Sequence, residues 1–179
     1  MRLKKAALIV LAVIFTLAAA ELLLRLLTPS VIYSPLSNQT YDPRLGTKMN
    51  PALEDIDDKG FRNPAPLDHA DIVTLGDSHT YGVNVSSAMS WPQQLADMDG
   101  VTVYNLGVGS YGTLQYSYLI DEAIKMKPKH IVLALYVTND LDDVCKLINR
   151  TNYWDDWLRE RGYDPLVCYE TSTGSLPRR

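Results

Sequence analysis

The sequence predicts an α/β fold, a parallel sheet layered with helices and preceded by one transmembrane helix, and three observations carry that expectation. A short basic start leads into an apolar run that fills most of the first 27 residues. From Asp71 onward, segments with the period of strands alternate with segments of helical period, the pattern of βαβ units. The chain has 179 residues, 46% apolar and 21% charged, which is the composition of one ordinary core. Its net charge of -4 gives no basic footprint for nucleic acid.

The first segment, residues 1–28, reads as export machinery. Arg2, Lys4 and Lys5 precede apolar residues from Ala6 to Ala20, and "LLLRLL" continues the run to Leu27. "AAAE" offers a small-residue cleavage site after Ala20, which would make the product secreted. Counted through Leu27 the run is about 22 residues, roughly 33 Å of helix, enough to span a bilayer. Glu21 and Arg25 stand four residues apart, so they can pair on one helix face and soften their cost near the interface. An uncleaved signal anchor is favoured over a cleaved signal peptide. The basic start then puts the N-terminus inside and the rest of the chain outside the cytoplasm, in the periplasm or the extracellular space. Cys145 and Cys168 are the only cysteines; an exported compartment permits a bridge between them, and two unpaired buried thiols are the alternative.

Residues 29–70 read as a linker followed by irregular structure that wraps the domain. Six prolines fall between Thr28 and Asp71, with scattered Asn, Asp and Gly and little periodicity. "DKGFRN", Asp58 to Asn63, is the most ordered-looking piece, a turn whose Phe61 can pack on the core, and no chemistry is assigned to it. Residues 71–150 hold the regular part. "DIVTLG" is a strand, "SWPQQLADM" a helix with Ser90 at its cap, "VTVYNLG" a strand, "GTLQYSYLIDEAIKMK" a long helix and "HIVLALYV" a third strand.

Open parallel sheets bind ligands beyond the carboxyl ends of their strands. Those ends read "GDSHTYG", "NLGVGSYG" and "TNDLDD". Ser78 follows the first strand, where its hydroxyl and its own N–H can face one space; a plain turn with Ser78 as an N-cap is the competing reading. Asp77 can tie that loop by hydrogen bonds. Gly107, Gly109 and Gly112 let the second loop approach a ligand closely. Asn139 adds an amide donor at the third strand end. Together these groups make a plausible oxyanion hole.

The three loops, in this order and at these strand ends, resemble the blocks of the SGNH/GDSL hydrolase superfamily, and the layout is similar to its exported, N-terminally anchored bacterial members. The resemblance covers about Asp58 to Asp143. It implies a flavodoxin-like three-layer αβα fold and a serine esterase or acyl-ester hydrolase. By position, Ser78 is the nucleophile and first oxyanion donor, and the N–H of Ser110 the second, where the family usually has glycine. Asn139 is the third donor, although Val137 and Thr138 stand where the family usually has Gly-x. Asp140 is expected to be structural, while Asp77, His79 and Gly109 line the substrate side. The family's Asp-x-x-His base and its last strands have no counterpart after Asn139 in this sequence. His69 and His130 are expected at the amino ends of strands, and His79 on the rim.

Residues 151–179 read as an aromatic amphipathic helix or lid over the strand ends, followed by a disordered "TSTGSLPRR". The expected partners are an ester-bearing small molecule, a lipid or an acylated carbohydrate, and the membrane through the first helix. No cofactor and no metal are expected, because no His/Cys cluster has ligand spacing. Two alternatives stand beside hydrolysis: O-acyl transfer to an extracytoplasmic polysaccharide, and a non-catalytic, membrane-tethered binding protein derived from the fold.

Overall fold

The computed structural model describes residues 2–27 and 38–171. The linker expected at 29–37 and the tail at 172–179 lie outside the described residues, as does the Arg25 side chain expected to pair with Glu21. Helix α1, Arg2–Leu27, contains a 20-residue stretch, Lys5–Leu24, long and apolar enough to cross a membrane, with no part of it buried against the protein. Its length and composition suit a membrane anchor or a signal sequence alike.

The chain then departs from the irregular wrap expected before Asp71. Strands β1, Gln39–Asp42, and β2, Gly46–Met49, form an antiparallel hairpin. The turn is held by Asp42, whose Oδ1 accepts the N–H groups of Arg44 and Leu45 at 2.9 Å each. Four-residue strands in which Met49 is the one buried apolar residue, with Leu45 buried in the turn between them, have too few apolar positions to show a period of two.

The regular part follows its expected order. Strand β3 is Ile72–Leu75, α2 Ser78–Tyr81, α3 Trp91–Asp99, β4 Val103–Asn105, α4 Thr113–Lys125 and β5 His130–Leu133. The strands make a parallel sheet in the order β4-β3-β5, with Val73 paired to Tyr104 on one side and Ile131 on the other. The first strand is thus the central one, and Val73, Thr74 and Leu75 are fully buried. β5 is an edge strand among the described residues: Ile131 and Leu133 stay exposed, and Leu135 and Val137 beyond it are more so.

Ser90 occupies the cap position of α3, but its hydroxyl donates to the Ser87 carbonyl at 2.7 Å instead of accepting from the helix. The main core joins the hairpin, the sheet and α4 through Met49, Phe61, Val73, Tyr104 and Leu119. A second apolar cluster forms where α5, Asp140–Arg150, packs on α4 with α6, Asp155–Arg159, and α7, Leu166–Thr171. A disulfide between Cys145 and Cys168 ties α7 to α5. The aromatic segment expected as a lid packs on α4, α5 and the hairpin turn: Trp154 Nε1 donates to the Arg44 carbonyl at 2.7 Å, and its ring meets Tyr118 edge-on.

Candidate functional site

Ser78 sits where the central strand ends and a single helical turn begins. It is the first residue of α2, while Asp77 takes the N-cap position and accepts the His79 N–H at 2.9 Å. The reading of Ser78 as a cap is therefore replaced: its hydroxyl is not spent on the helix and donates to Asp77 Oδ2 at 3.4 Å, a long bond. As the first helical residue, Ser78 also keeps an N–H with no acceptor among the described residues.

Asp77 is the hub of the site. It is 1% exposed and gathers Ser78 Oγ, the N–H and Nδ1 of His79, and Asn139 Nδ2 at 3.4 Å. The His79 side chain, 64% exposed, leans on the Tyr136 ring with centroids 4.5 Å apart, which makes it a rim residue. His130 opens β5 and His69 precedes β3, both exposed and both at the amino ends of the strands, away from Ser78.

The second loop approaches Ser78 through Gly109. A Cβ built there would lie 3.9 Å from the Ser78 Cβ, ordinary van der Waals contact, so Gly109 faces Ser78 with room for a side chain between them. Gly107 serves packing instead. A Cβ on it would stand 2.7 Å from the Thr80 side chain and 2.8 Å from the Tyr81 nitrogen, so its absence lets α2 lie against the loop. Ser110 has φ 66°, in a turn closed by the Tyr111 N–H to the Val108 carbonyl at 3.2 Å. Non-glycine residues at such angles cost about 1–3 kcal/mol and persist where surroundings over-determine them. Here the next residue is locked: Tyr111 is fully buried, its hydroxyl donates to the Thr47 carbonyl at 2.7 Å, and its own carbonyl accepts from Tyr116 at 3.0 Å. The Ser110 N–H has no acceptor among the described residues.

The third strand, expected over "HIVLALYV", ends at Leu133, and Asn139 stands six residues beyond it as the N-cap of α5, with its amide already engaged. Nδ2 donates to Asp143 Oδ2 at 3.0 Å and to Asp77 Oδ2 at 3.4 Å. The two carboxylates fix the orientation of the amide, since a flip would set its oxygen against them. An oxyanion would have to take the N–H now spent on the longer bond. Lys146 balances Asp143 at 2.5 Å. Asp140 is structural: its carboxylate accepts the Tyr136 N–H at 2.8 Å and the Tyr116 hydroxyl at 3.2 Å, and burial raises its pKa above the usual carboxylate value.

Sequence reading missed the polar scaffold beneath these loops. In the "DKGFRN" turn, Phe61 packs on the core as expected, but Arg62 and Asn63 are buried too. Asn63 Oδ1 accepts the Asn105 N–H at 2.8 Å, and its Nδ2 donates to Asp57 and to the Asn105 carbonyl, both at 3.0 Å. The Asn105 side chain in turn takes the Gly107 N–H at 2.8 Å and donates to the Thr80 carbonyl at 2.9 Å, tying the second loop to α2. Arg62 closes the other end, donating to the carbonyls of Gly82 at 2.8 Å, Val85 at 3.1 Å and Tyr81 at 3.3 Å. The one signal in the sequence was an arginine and an asparagine directly following a core phenylalanine.

A cavity of about 500 Å³ between the hairpin, residues 58–68 and the later half of α4 is lined by none of the expected site residues. A cleft of about 400 Å³ opens instead beside Ser78 and His79. Among the described residues no group of three or more His, Cys, Asp or Glu is arranged to hold a metal ion. Compared with protein-family models, with curated proteins and with solved structures, the chain matches none.

Proposed function

We propose that this chain is a serine hydrolase acting on ester bonds, with Ser78 carrying the acyl group. The particular group it fits is the SGNH/GDSL hydrolases in their exported, N-terminally anchored form, built on a flavodoxin-like fold of which the three described parallel strands are a part. The observation that carries this reading is a pair of N–H groups without an acceptor among the described residues, that of Ser78 and that of Ser110, the latter at φ 66° and next in sequence to Gly109, whose built Cβ would lie 3.9 Å from Ser78 Cβ. In the reaction Ser78 Oγ bonds to the ester carbon while the carbonyl oxygen, becoming an oxyanion, takes those two N–H groups and the Asn139 amide. The C–O bond to the alcohol then breaks and the alcohol leaves with the proton that Ser78 Oγ gave up; water adds to the acyl carbon, one of its protons returns to Ser78 Oγ, and the acid is released. The membrane-spanning length of α1, its basic start and the Cys145–Cys168 disulfide support a domain outside the cytoplasm.

The placement of His69 and His130 at the far ends of the strands favours a second reading, a non-catalytic binding protein on the same loops. Hydrolysis of p-nitrophenyl acetate by the full chain in detergent micelles separates the two. Ser78→Ala is expected to fall to the solvent background, and Asn139→Ala to lose about 10²–10³ in kcat. Equal rates for wild type and Ser78→Ala would leave only the binding protein.

A further inference from the structure

A strip of aromatic rings and guanidinium groups beside the hairpin turn takes no part in the chemistry at Ser78. We infer that it is a second membrane contact, resting at the headgroup level of the bilayer that α1 would span. This rests on the anchored form in the reading above, and not on ester cleavage. The strip is continuous. Arg44 lies over the Tyr153 ring at 5.7 Å, Tyr153 meets Trp154 edge-on at 5.3 Å, Trp154 meets Trp157 edge-on at 5.6 Å, and Arg161 stacks on Trp157 at 3.9 Å. Trp154 is buried and holds its neighbours in place, while Tyr153 is 47% and Trp157 36% exposed.

Both the chemistry and the position of the strip suit a lipid surface. Tyr and Trp gather at membrane–water interfaces, where an apolar ring with one polar atom matches the gradient from acyl chain to headgroup. Guanidinium groups beside such rings fit lipid phosphate, which they bind through two parallel N–H bonds. The exposed Arg44 guanidinium donates to the Tyr118 hydroxyl at 2.7 Å and has no salt bridge among the described residues. The acids of α6 are matched: Asp155 and Asp156 pair with Arg159 at 3.6 and 3.1 Å, and Glu160 pairs with Arg161 at 3.9 Å. Residues 28–37 join α1 to the hairpin and span at most about 33–36 Å, roughly the width of a domain of this size. From Gln39, where β1 begins, the turn that carries Arg44 is one four-residue strand away, about 13 Å. The strip therefore sits near the point where the tether enters the domain. Tethering of this kind gives an effective concentration of about millimolar, so two rings and two cations suffice for a weak, persistent contact.

The test is tryptophan fluorescence of the full chain in phosphatidylcholine nanodiscs, made with ordinary lipid or with lipid brominated near the carbonyl end of its chains. α1 holds no tryptophan, so quenching by bromine reports the domain, whose three are Trp91, Trp154 and Trp157. Brominated discs are expected to cut the Trp157 emission, taken as the difference between wild type and Trp157→Phe, by about twofold, and to leave that of Trp91, taken from Trp91→Phe, unchanged. Arg44→Glu sets a carboxylate against lipid phosphate and is expected to reduce the quenching without changing the emission in micelles. Equal Trp157 emission in the two kinds of disc, or quenching that Trp157→Phe leaves intact, overturns the second contact while the chain still sits in the disc by α1. A Trp157 unquenched by bromine yet shielded from aqueous iodide marks a contact between copies of the chain and overturns the bilayer contact too. A chain that enters no disc overturns the anchored form with it. None of these readings needs an ester to be cleaved, so the fall of the hydrolase reading would leave the outcome standing.

Discussion

Replacing Arg62 by methionine would remove the charged clamp under the Ser78 turn. Arg62 is 3% exposed and its guanidinium makes four bonds: to Asp55 at 2.7 Å and to the carbonyls of Tyr81, Gly82 and Val85 at 2.8–3.3 Å. It also covers the Tyr81 ring at 4.8 Å. Hydrogen bonds to a charged group contribute about 1.5–3 kcal/mol each, but the three carbonyls share one cation and the Asp55 side chain, 22% exposed, can rehydrate. A loss of about 3–5 kcal/mol, the range for breaking a buried charged network, is therefore expected. Arg62→Lys keeps the charge without the planar fork and should fall between wild type and Arg62→Met. The assay is equilibrium urea unfolding of the full chain in micelles, followed by tryptophan fluorescence, with the exposed Arg159→Met as a control. A change below about 0.5 kcal/mol for Arg62→Met, no larger than that for surface substitutions, would refute the clamp.

Three further outcomes follow from the geometry. Burial raises the Tyr81 pKa to about 12 against the pull of Arg62, and raises those of Tyr104, Tyr111 and Tyr116 further. The stability tied to protonated Tyr81 is fully present below pH 10, the value it regains on unfolding, and is lost as pH rises through about 12. Absorbance of tyrosinate and denaturant midpoints should thus move together above pH 10, and all eleven tyrosines titrating near pH 10 in folded protein would contradict it. Ser110→Gly keeps the N–H and relieves the positive φ, so it should retain ester turnover and gain up to about 1 kcal/mol, whereas Ser110→Val should lose stability; equal midpoints for all three proteins would count against the strained turn. The Cys145–Cys168 bridge spans 23 residues, a loop whose closure is worth about 3 kcal/mol, so Cys168→Ser should weaken the domain by that order and speed amide exchange first in α7.

The sequence made the sheet legible because β3, β4 and β5 are runs of apolar and β-branched residues, the first two closed by glycine and the third opened after Pro128, and α4 keeps an apolar face over 13 residues. It singled out Ser78, Asp77 and Asn139 as candidates because strand ends are where such a sheet gathers its loops, and Ser110 through the family resemblance. What escaped it was long-range. The hairpin is too short to show a period, and Asn63 meets its partner Asn105 across 42 residues. The glycines were legible as glycines, but of Gly107 and Gly109 only Gly109 faces Ser78, while Gly107 packs on Thr80. That the Asn139 amide would be shared with Asp77 and Asp143 also required the fold, because Asp77 lies 62 residues away.

The open edge of β5 has a colloidal consequence. Its ladder to β3 uses alternate peptide groups, so those of Ile131 and Leu133 face outward with no strand beside them among the described residues. Sheets commonly blunt such an edge with lysine, proline or a bulge, yet the seven residues from Ile131 to Val137 carry neither charge nor proline, and Val137 is 81% exposed. Where no further strand covers it, such an edge is the place at which two molecules would pair as concentration rises.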